Sequence, residues 1–179
     1  MGILQNDTKT YLGYLVGERF WNIKFDEKRK PYLTSLHDDI KWQYREPIIA
    51  LCSFLENVIC DDNDIDHRCG IHAYKRLPNK RVPQYSISGK VALWGKVVVH
   101  EIGYRAEYAY LQSFIDSFCF TCNENKLIAR VMFLGNFWGR SVCLSCFDSY
   151  NFKDHKSSLF EPIQGLKVVE ELKELYGVS

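Results

Sequence analysis

Four cysteines constrain this chain more tightly than anything else in it. Residues 119–146 read CFTCNENKLIARVMFLGNFWGRSVCLSC, so Cys119 and Cys122 stand two residues apart, twenty residues follow, and Cys143 and Cys146 repeat the spacing. Two thiolates at that spacing approach one ion from a single tight turn, because the turning backbone brings both sulfurs to the same side. Two such pairs complete a tetrahedral shell for one structural Zn(II) per chain, with no vacant position for water and hence no catalytic task for the metal. Between the pairs, KLIARVMFL has the composition of a strand, GNFWG is rich in turn formers and RSVCL leads back to the second pair. A hairpin between two Cys-x2-Cys turns is the plan of a zinc ribbon. The alternatives are four buried cysteines or a redox dithiol, and the latter calls for a βαβ setting that is not visible here.

The remaining cysteines bring the total to an odd seven, which suits a reducing cytosol better than a secreted disulfide framework. No stretch reaches 18 consecutive apolar residues, and MGILQNDTKTYLGYLVGERF lacks the parts of a secretory signal. Asn6 stands where a myristoylation pattern needs Ser or Thr. A cytoplasmic location is expected, and no membrane partner.

Elsewhere the chain favours short strands. Extended candidates lie in YLVGERFWNIKF, PYLTSL and CGIHAYK, while IIALC fits a strand or a short helix and LQSFIDSF a helical turn. At the C-terminus, GLKVVEELKELYG repeats apolar residues at Leu166, Val169, Leu172 and Leu175 or Tyr176, with Gly177 as a stop and Glu170, Glu171 and Glu174 on the opposite face. The pattern predicts an α+β, mostly β fold: a small antiparallel barrel or curled sheet with a C-terminal zinc ribbon and a terminal helix. In chain order this gives a β domain over 1–112, a zinc-ribbon-like module over 113–150 and a tail with a docking helix over 151–179.

The β domain holds the second informative stretch, VALWGKVVVHEIGYRAEYAY from Val91 to Tyr110. A two-residue turn at Ile102-Gly103 pairs His100 with Arg105 and Val98 with Glu107. Side chains alternate along a strand, so Leu93, Val97, Val99, Ala106 and Tyr108 then form a core face. Trp94, Lys96, Val98, His100, Arg105 and Glu107 form the opposite, polar one.

The run CGIHA (Cys69–Ala73) followed by GKVALWGKVVVHEIGYRAEYAY (Gly89–Tyr110) resembles uncharacterised bacterial proteins in which a Cys-Gly-Ile element precedes a Leu-Trp-Gly strand and a Gly-Tyr-Arg-Ala-Glu strand. The resemblance spans residues 47–110. It implies a recurring domain and carries no activity with it, and His67 stands where those proteins often have another cysteine.

Net charge is only +1, yet it hides a boundary. Residues 56–66 hold five acids and no base, whereas 68–99 hold no acid and seven bases: Arg68, Lys75, Arg76, Lys80, Arg81, Lys90 and Lys96. The prolines of LPNKRVP make a loop that sets Lys75, Arg76, Lys80 and Arg81 on a rim beside the hairpin. Asp62, Asp64 and Asp66 have calcium-loop spacing, but His67 and Ala73 occupy the positions that an EF-hand gives to Gly and Glu. Cys60, His67, Cys69 and His72 are irregularly spaced, and a strand through Cys69 and His72 points them to opposite faces, which opposes a second zinc.

Two functions from different classes remain. The first is a zinc-containing recognition module that binds DNA or RNA through Trp94, Lys96, His100, Arg105, Glu107, Lys75, Arg76, Lys80 and Arg81, with stacking on an unpaired or modified base and cations on phosphate. The second is a hydrolase-like enzyme in which His100 is a general base, oriented by Glu107, with Arg105 as an anion clamp. It lacks a nucleophile motif, a Gly-rich phosphate loop and an open metal site. A protein-interaction adaptor is a third reading, and it calls for exposed apolar surface. Purified protein is expected to carry close to one zinc. Full zinc content in a variant combining Cys143→Ser with Cys146→Ser would overturn the four-thiolate assignment.

Overall fold

The computed structural model describes residues 7–36, 39–51, 69–78, 87–115, 122, 130–134, 138–142, 145–146 and 162–178, with the backbone alone at 7–12, 130–134, 138–142 and 162–166. Among these residues the chain forms the strands β1 (Asp7–Phe25), β2 (Pro31–Thr34), β3 (Ile48–Ile49), β4 (Ile71–Tyr74), β5 (Ile87–Val99), β6 (Gly103–Phe114), β7 (Arg130–Leu134), β8 (Trp138–Val142) and β9 (Pro162–Gln164) and the helix α1 (Gly165–Tyr176), with residues 145–146 also helical. The fold is mostly β, as the short apolar runs predict, and no described helix is long and apolar enough to cross a membrane. LQSFIDSF differs from expectation. Leu111–Phe114 continues β6 as a strand, held by the Ile115 N–H donating to the Ser88 carbonyl (2.9 Å).

Four strands close into an antiparallel barrel: β4 pairs with β1 and β6, and β5 pairs with the same two. The chain divides into two compact units, each drawn from three segments, so β1, β5 and β6 supply residues to both. Residues 1–19, 45–78 and 90–112 make the first. Here Ile71–Tyr74 lies antiparallel to Gly103–Ala106, and Ile48 and Ile49 face Ala109 and Tyr108. A four-strand barrel has a narrow interior, and its filling is correspondingly small: Ala73, Ala106 and Ala109 are buried with Ile71, Val91, Leu93 and Val97. Gly17 belongs to the same economy of space, since a Cβ there would lie 2.8 Å from the Ala73 Cβ and 3.1 Å from Leu93 Cδ1.

The second unit, 20–44, 79–89 and 113–179, is built around aromatic bulk. The end of β1 pairs with β2 from Asn22↔Thr34 to Phe25↔Pro31, and with β8 at Ile23↔Gly139 and Lys24↔Trp138. β7 continues this sheet between β8 and β9. In the β1–β2 connection, the Asp26 carboxylate accepts from the backbone N–H groups of Lys28 (2.9 Å) and Lys30 (2.8 Å) while Arg29 takes φ 62°. Such an Asx-turn tolerates a left-handed residue because the side chain replaces the missing ladder bonds.

Helix α1 keeps Glu170, Glu171 and Glu174 exposed, as its period predicts. Its buried line runs through Val168, Leu172 and Tyr176, while Val169 and Leu175 are half-buried. Gly177 ends the helix at φ 67°, with its N–H on the Glu174 carbonyl and the Val178 N–H on that of Lys173. These two bonds are a Schellman cap. Tyr176 then ties the helix to the sheet: its hydroxyl accepts from the Leu33 N–H (3.0 Å) and donates to the Trp42 carbonyl (2.9 Å). Burial pushes the phenol's pKa far upward. Nearby, the Trp21 and Trp42 rings meet edge to face at 5.1 Å, and Tyr44 and Tyr176 at 5.0 Å.

Tyr176→Phe leaves both backbone groups buried without that partner, so it should destabilise the fold by about 1–3 kcal/mol. Urea unfolding of the variant checks this. An unchanged midpoint would mean that the hydroxyl bridge contributes nothing.

Candidate functional site

The β5–β6 hairpin forms, but its turn lies one residue earlier than expected. The His100 N–H donates to the Gly103 carbonyl at 2.9 Å, so Glu101 and Ile102 make the two-residue turn and His100 faces Gly103. Gly103 is not a left-handed turn residue. Its backbone is crowded by β4, where a Cβ would stand 2.4 Å from the Ala73 carbonyl oxygen. Glycine is needed there for close approach, inside the strand, and the turn is displaced accordingly.

Moving a turn by one residue shifts the cross-strand pairing by two, and a two-residue shift preserves the face of each side chain. Continuing from His100 opposite Gly103, Val98 falls against Arg105 and Lys96 against Glu107. Lys96 N–H accordingly donates to Glu107 Oε2 at 3.2 Å. On the other edge of β6, His72 lies directly against Arg105 and Tyr74 against Gly103. Lys96, His100, Arg105 and Glu107 therefore share the outer side of the hairpin with His72. Leu93, Val97 and Ala106 are buried on the inner side as expected.

Val99 and Tyr108 depart from the expected core face, since both are only half-buried. The cause for Tyr108 is Gly95, which takes φ 76° in mid-strand. A Cβ on Gly95 would meet Glu107 Oε2 and Tyr108 Cδ2, each at 2.7 Å. The buried positions on β6 then step from Ala106 to Ala109, an odd interval that breaks strict alternation. A left-handed glycine with a local loss of alternation marks a bulge. It turns the Tyr108 ring out against Trp94, where the two stack at 5.8 Å with 14° between their planes. Sequence reasoning assigned Tyr108 to the core; the Trp-Gly pair was the available signal, since an isolated glycine in a strand suggests a bulge.

Lys75 and Tyr104 lie together near the hairpin's end, and Tyr104 alternates with Arg105 along β6. The Lys75 N–H donates to the Ile102 carbonyl (3.0 Å), and the Lys75 ammonium stands 5.9 Å from the centre of the Tyr104 ring. The Arg105 stem lies over Gly70, whose absent Cβ would be 2.4 Å from Arg105 Cγ. Partial burial, with the charges of Arg105 and then Lys75, lowers the pKa of His100 below 6.5. Arg76 is exposed next to Lys75.

Glu107 is not brought to His100. It lies four residues along β6 from Gly103, a span of about 13 Å at the rise of a strand, with its carboxylate engaged by the Lys96 N–H. A hydrogen bond to the same carboxylate, followed by its charge and by burial, raises the Tyr108 phenol's pKa. The His100, Arg105 and Glu107 trio is thus spread along the strand pair.

No family model, curated protein or solved structure matches the chain.

Lys80 and Arg81, and with them the outer half of the expected basic rim, lie outside the described residues, as do Cys119, Cys143, Cys60 and His67. Cys122 and Cys146 are half-buried. The hairpin expected between the two cysteine pairs is present as β7 and β8, in register from Arg130↔Val142 to Leu134↔Trp138. Among the described residues, no group of three or more His, Cys, Asp and Glu side chains gathers as a metal site.

Gly95→Ala forces a side chain into the left-handed region and against Glu107 and Tyr108. It should cost about 1–2 kcal/mol from backbone conformation alone, with a further penalty from the contacts. Chemical unfolding of this variant measures the sum, and a midpoint equal to that of the parent would remove the bulge.

Proposed function

We propose that this protein is a zinc-containing recognition module that binds an unpaired strand of nucleic acid, DNA or RNA, on the outer face of its barrel. The observation that carries the reading is the stacked Trp94–Tyr108 pair held outside the core beside Lys96 and Arg105, with His72, Lys75 and Arg76 exposed at or beside β4. Aromatic faces outside a core are what bases stack on, and neighbouring cations are what phosphates need. The four-cysteine pattern supplies the zinc in this reading, and Cys119, Cys122, Cys143 and Cys146 would hold it. A four-thiolate ion contributes folding energy and no chemistry. Lys80 and Arg81 would extend the cationic rim. The acid–base reading of His100 is less favoured, because the carboxylate it needs is occupied four positions away.

A protein-contact role has one observation of its own. Tyr14, Val16, Ile49 and Leu51 are exposed, the first at 60%, and Tyr14 and Val16 are alternate residues of β1. Exposed apolar groups of this kind suit a partner surface.

Binding of fluorescent single-stranded oligonucleotides at low and moderate salt separates these readings. Trp94→Ala should weaken binding by about 1–3 kcal/mol with little change in salt slope, the loss of a stacking platform. Lys75→Ala with Arg76→Ala should weaken it across sequences and flatten the salt dependence, because fewer counterions are released. No binding to any single-stranded or duplex probe at low salt would reject the nucleic-acid reading.

A further inference from the structure

We infer that the bulge at Gly95 builds a guanine-selective subsite, in which an unpaired base stacks on the Trp94–Tyr108 pair and Glu107 accepts hydrogen bonds from its Watson–Crick edge. The inference rests on the nucleic-acid reading and deepens it by naming the base.

In a regular strand consecutive side chains point to opposite faces, so a carboxylate and the ring next to it in sequence would not serve one ligand. Here the bulge changes that. Ala106 and Ala109 are both buried, and Glu107 and Tyr108 between them are only half-buried, so two neighbouring side chains reach the outer surface together. They also meet there. Glu107 Oε2 and Tyr108 Cδ2 each lie 2.7 Å from the point that a Cβ on Gly95 would occupy. Bulges recur beside functional sites because they re-aim a side chain in this way.

The carboxylate is held from both edges of β6. The Glu107 carbonyl accepts from the N–H of Ala50, the residue after β3, at 2.8 Å, and Glu107 Oε2 accepts from the Lys96 N–H of β5 at 3.2 Å. The Tyr108 phenol bonds the same carboxylate. An ionised carboxylate offers about four acceptor positions, so about two are left for a ligand.

The surface around it suits a base. Trp94 and Tyr108 stack at 5.8 Å, and Ile49, which pairs with Tyr108, is 41% exposed and extends the apolar area. Lys96 is exposed beside Gly95, so the carboxylate does not set the local charge alone.

Two acceptors side by side match guanine, whose N1–H and N2 amino group are adjacent donors. Adenine and cytosine each set a ring-nitrogen acceptor beside their amino group, and thymine and uracil flank their one N–H with two carbonyl oxygens. A carboxylate is repelled by those acceptors. Guanine alone presents two donors in a row.

Fluorescent thymidine decamers and uridine decamers, each with one central guanine, inosine, adenine or cytosine, are titrated with the full chain. The guanine probe should bind about tenfold more tightly than the others in at least one of the two series, the discrimination expected of one bidentate pair. Inosine decides the matter, because it stacks as guanine does and keeps the N1–H but lacks the amino group. Glu107→Gln retains an oxygen for the Lys96 N–H and replaces an acceptor with a donor, so it should erase the preference while circular dichroism shows an intact fold. Guanine and inosine probes of equal affinity in both series would overturn the subsite, in a comparison that needs no variant. A guanine preference that survives in folded Glu107→Gln would overturn it as well.

The two levels of the proposal fail differently. Binding of every probe without base preference keeps the nucleic-acid reading and rejects the guanine assignment. Binding of none at low salt rejects both.

Discussion

One backbone hydrogen bond, from the His100 N–H to the Gly103 carbonyl, sets the address of every side chain on the hairpin. It makes Glu101 and Ile102 the turn, and from there alternation sends Leu93, Val97 and Ala106 inward and Lys96, Arg105 and Glu107 outward. A one-residue slip in that pairing would bury the charges and expose the core, which is why register is strongly specified wherever one face is buried. Gly103 supports the register from the other edge, because β4 approaches so closely at Ala73 that a side chain has no room.

Narrowness follows from closing only four strands, and it decides which residues are allowed where. The interior accepts Gly17, Ala73, Ala106 and Ala109 among its aliphatic groups, and among the described residues of this unit no aromatic ring is buried. Trp94 and Tyr108 accordingly pack on each other outside. The other unit has the opposite allotment: Trp21, Trp42 and Tyr176 fill its core, and the phenolic oxygen of Tyr176 satisfies a backbone donor and a backbone acceptor that burial would otherwise leave without water. Aromatic bulk thus fills the core of one unit and stacks outside the core of the other.

The sequence made some of this legible and hid the rest for physical reasons. Helix α1 was readable because a 3.6-residue period and a stop glycine are local signals: Leu172 and Tyr176 of the expected stripe are buried, while Val168 rather than Val169 completes the buried line. The faces of Lys96, His100, Arg105 and Glu107 were readable despite the misplaced turn, since parity survives a two-residue shift. Gly103 was misjudged because a glycine that admits a neighbouring strand looks in sequence like one that makes a turn. Tyr108 and Leu111–Phe114 were misjudged because bulges and strand extension depend on partners far away in the chain. Two compact units that each draw on three segments have no signature along a single sequence, and the three-residue strand β9 is too short to show a period. The cysteine spacing is local and unambiguous as a pattern, while the arrangement of its four sulfurs involves residues outside those described.

A net charge of +1 describes the whole chain and says little about any one place on it. At 0.15 M salt, exposed charges interact over about 8 Å, so a local cluster acts on what touches it regardless of distant acids. Glu107 illustrates the sorting: its carboxylate meets the Lys96 backbone and the Tyr108 phenol at one end of the strand pair, and Arg105 and Lys75 bear on His100 at the other. Placing two cations near a histidine is mildly unfavourable for the unliganded fold, because the protonated imidazole is repelled by them. Surface repulsion of that kind is easily relieved by moving one long side chain away. Arg105 shows such a displacement: its stem lies at Gly70, beyond the Ile71↔Ala106 pair and therefore away from the turn.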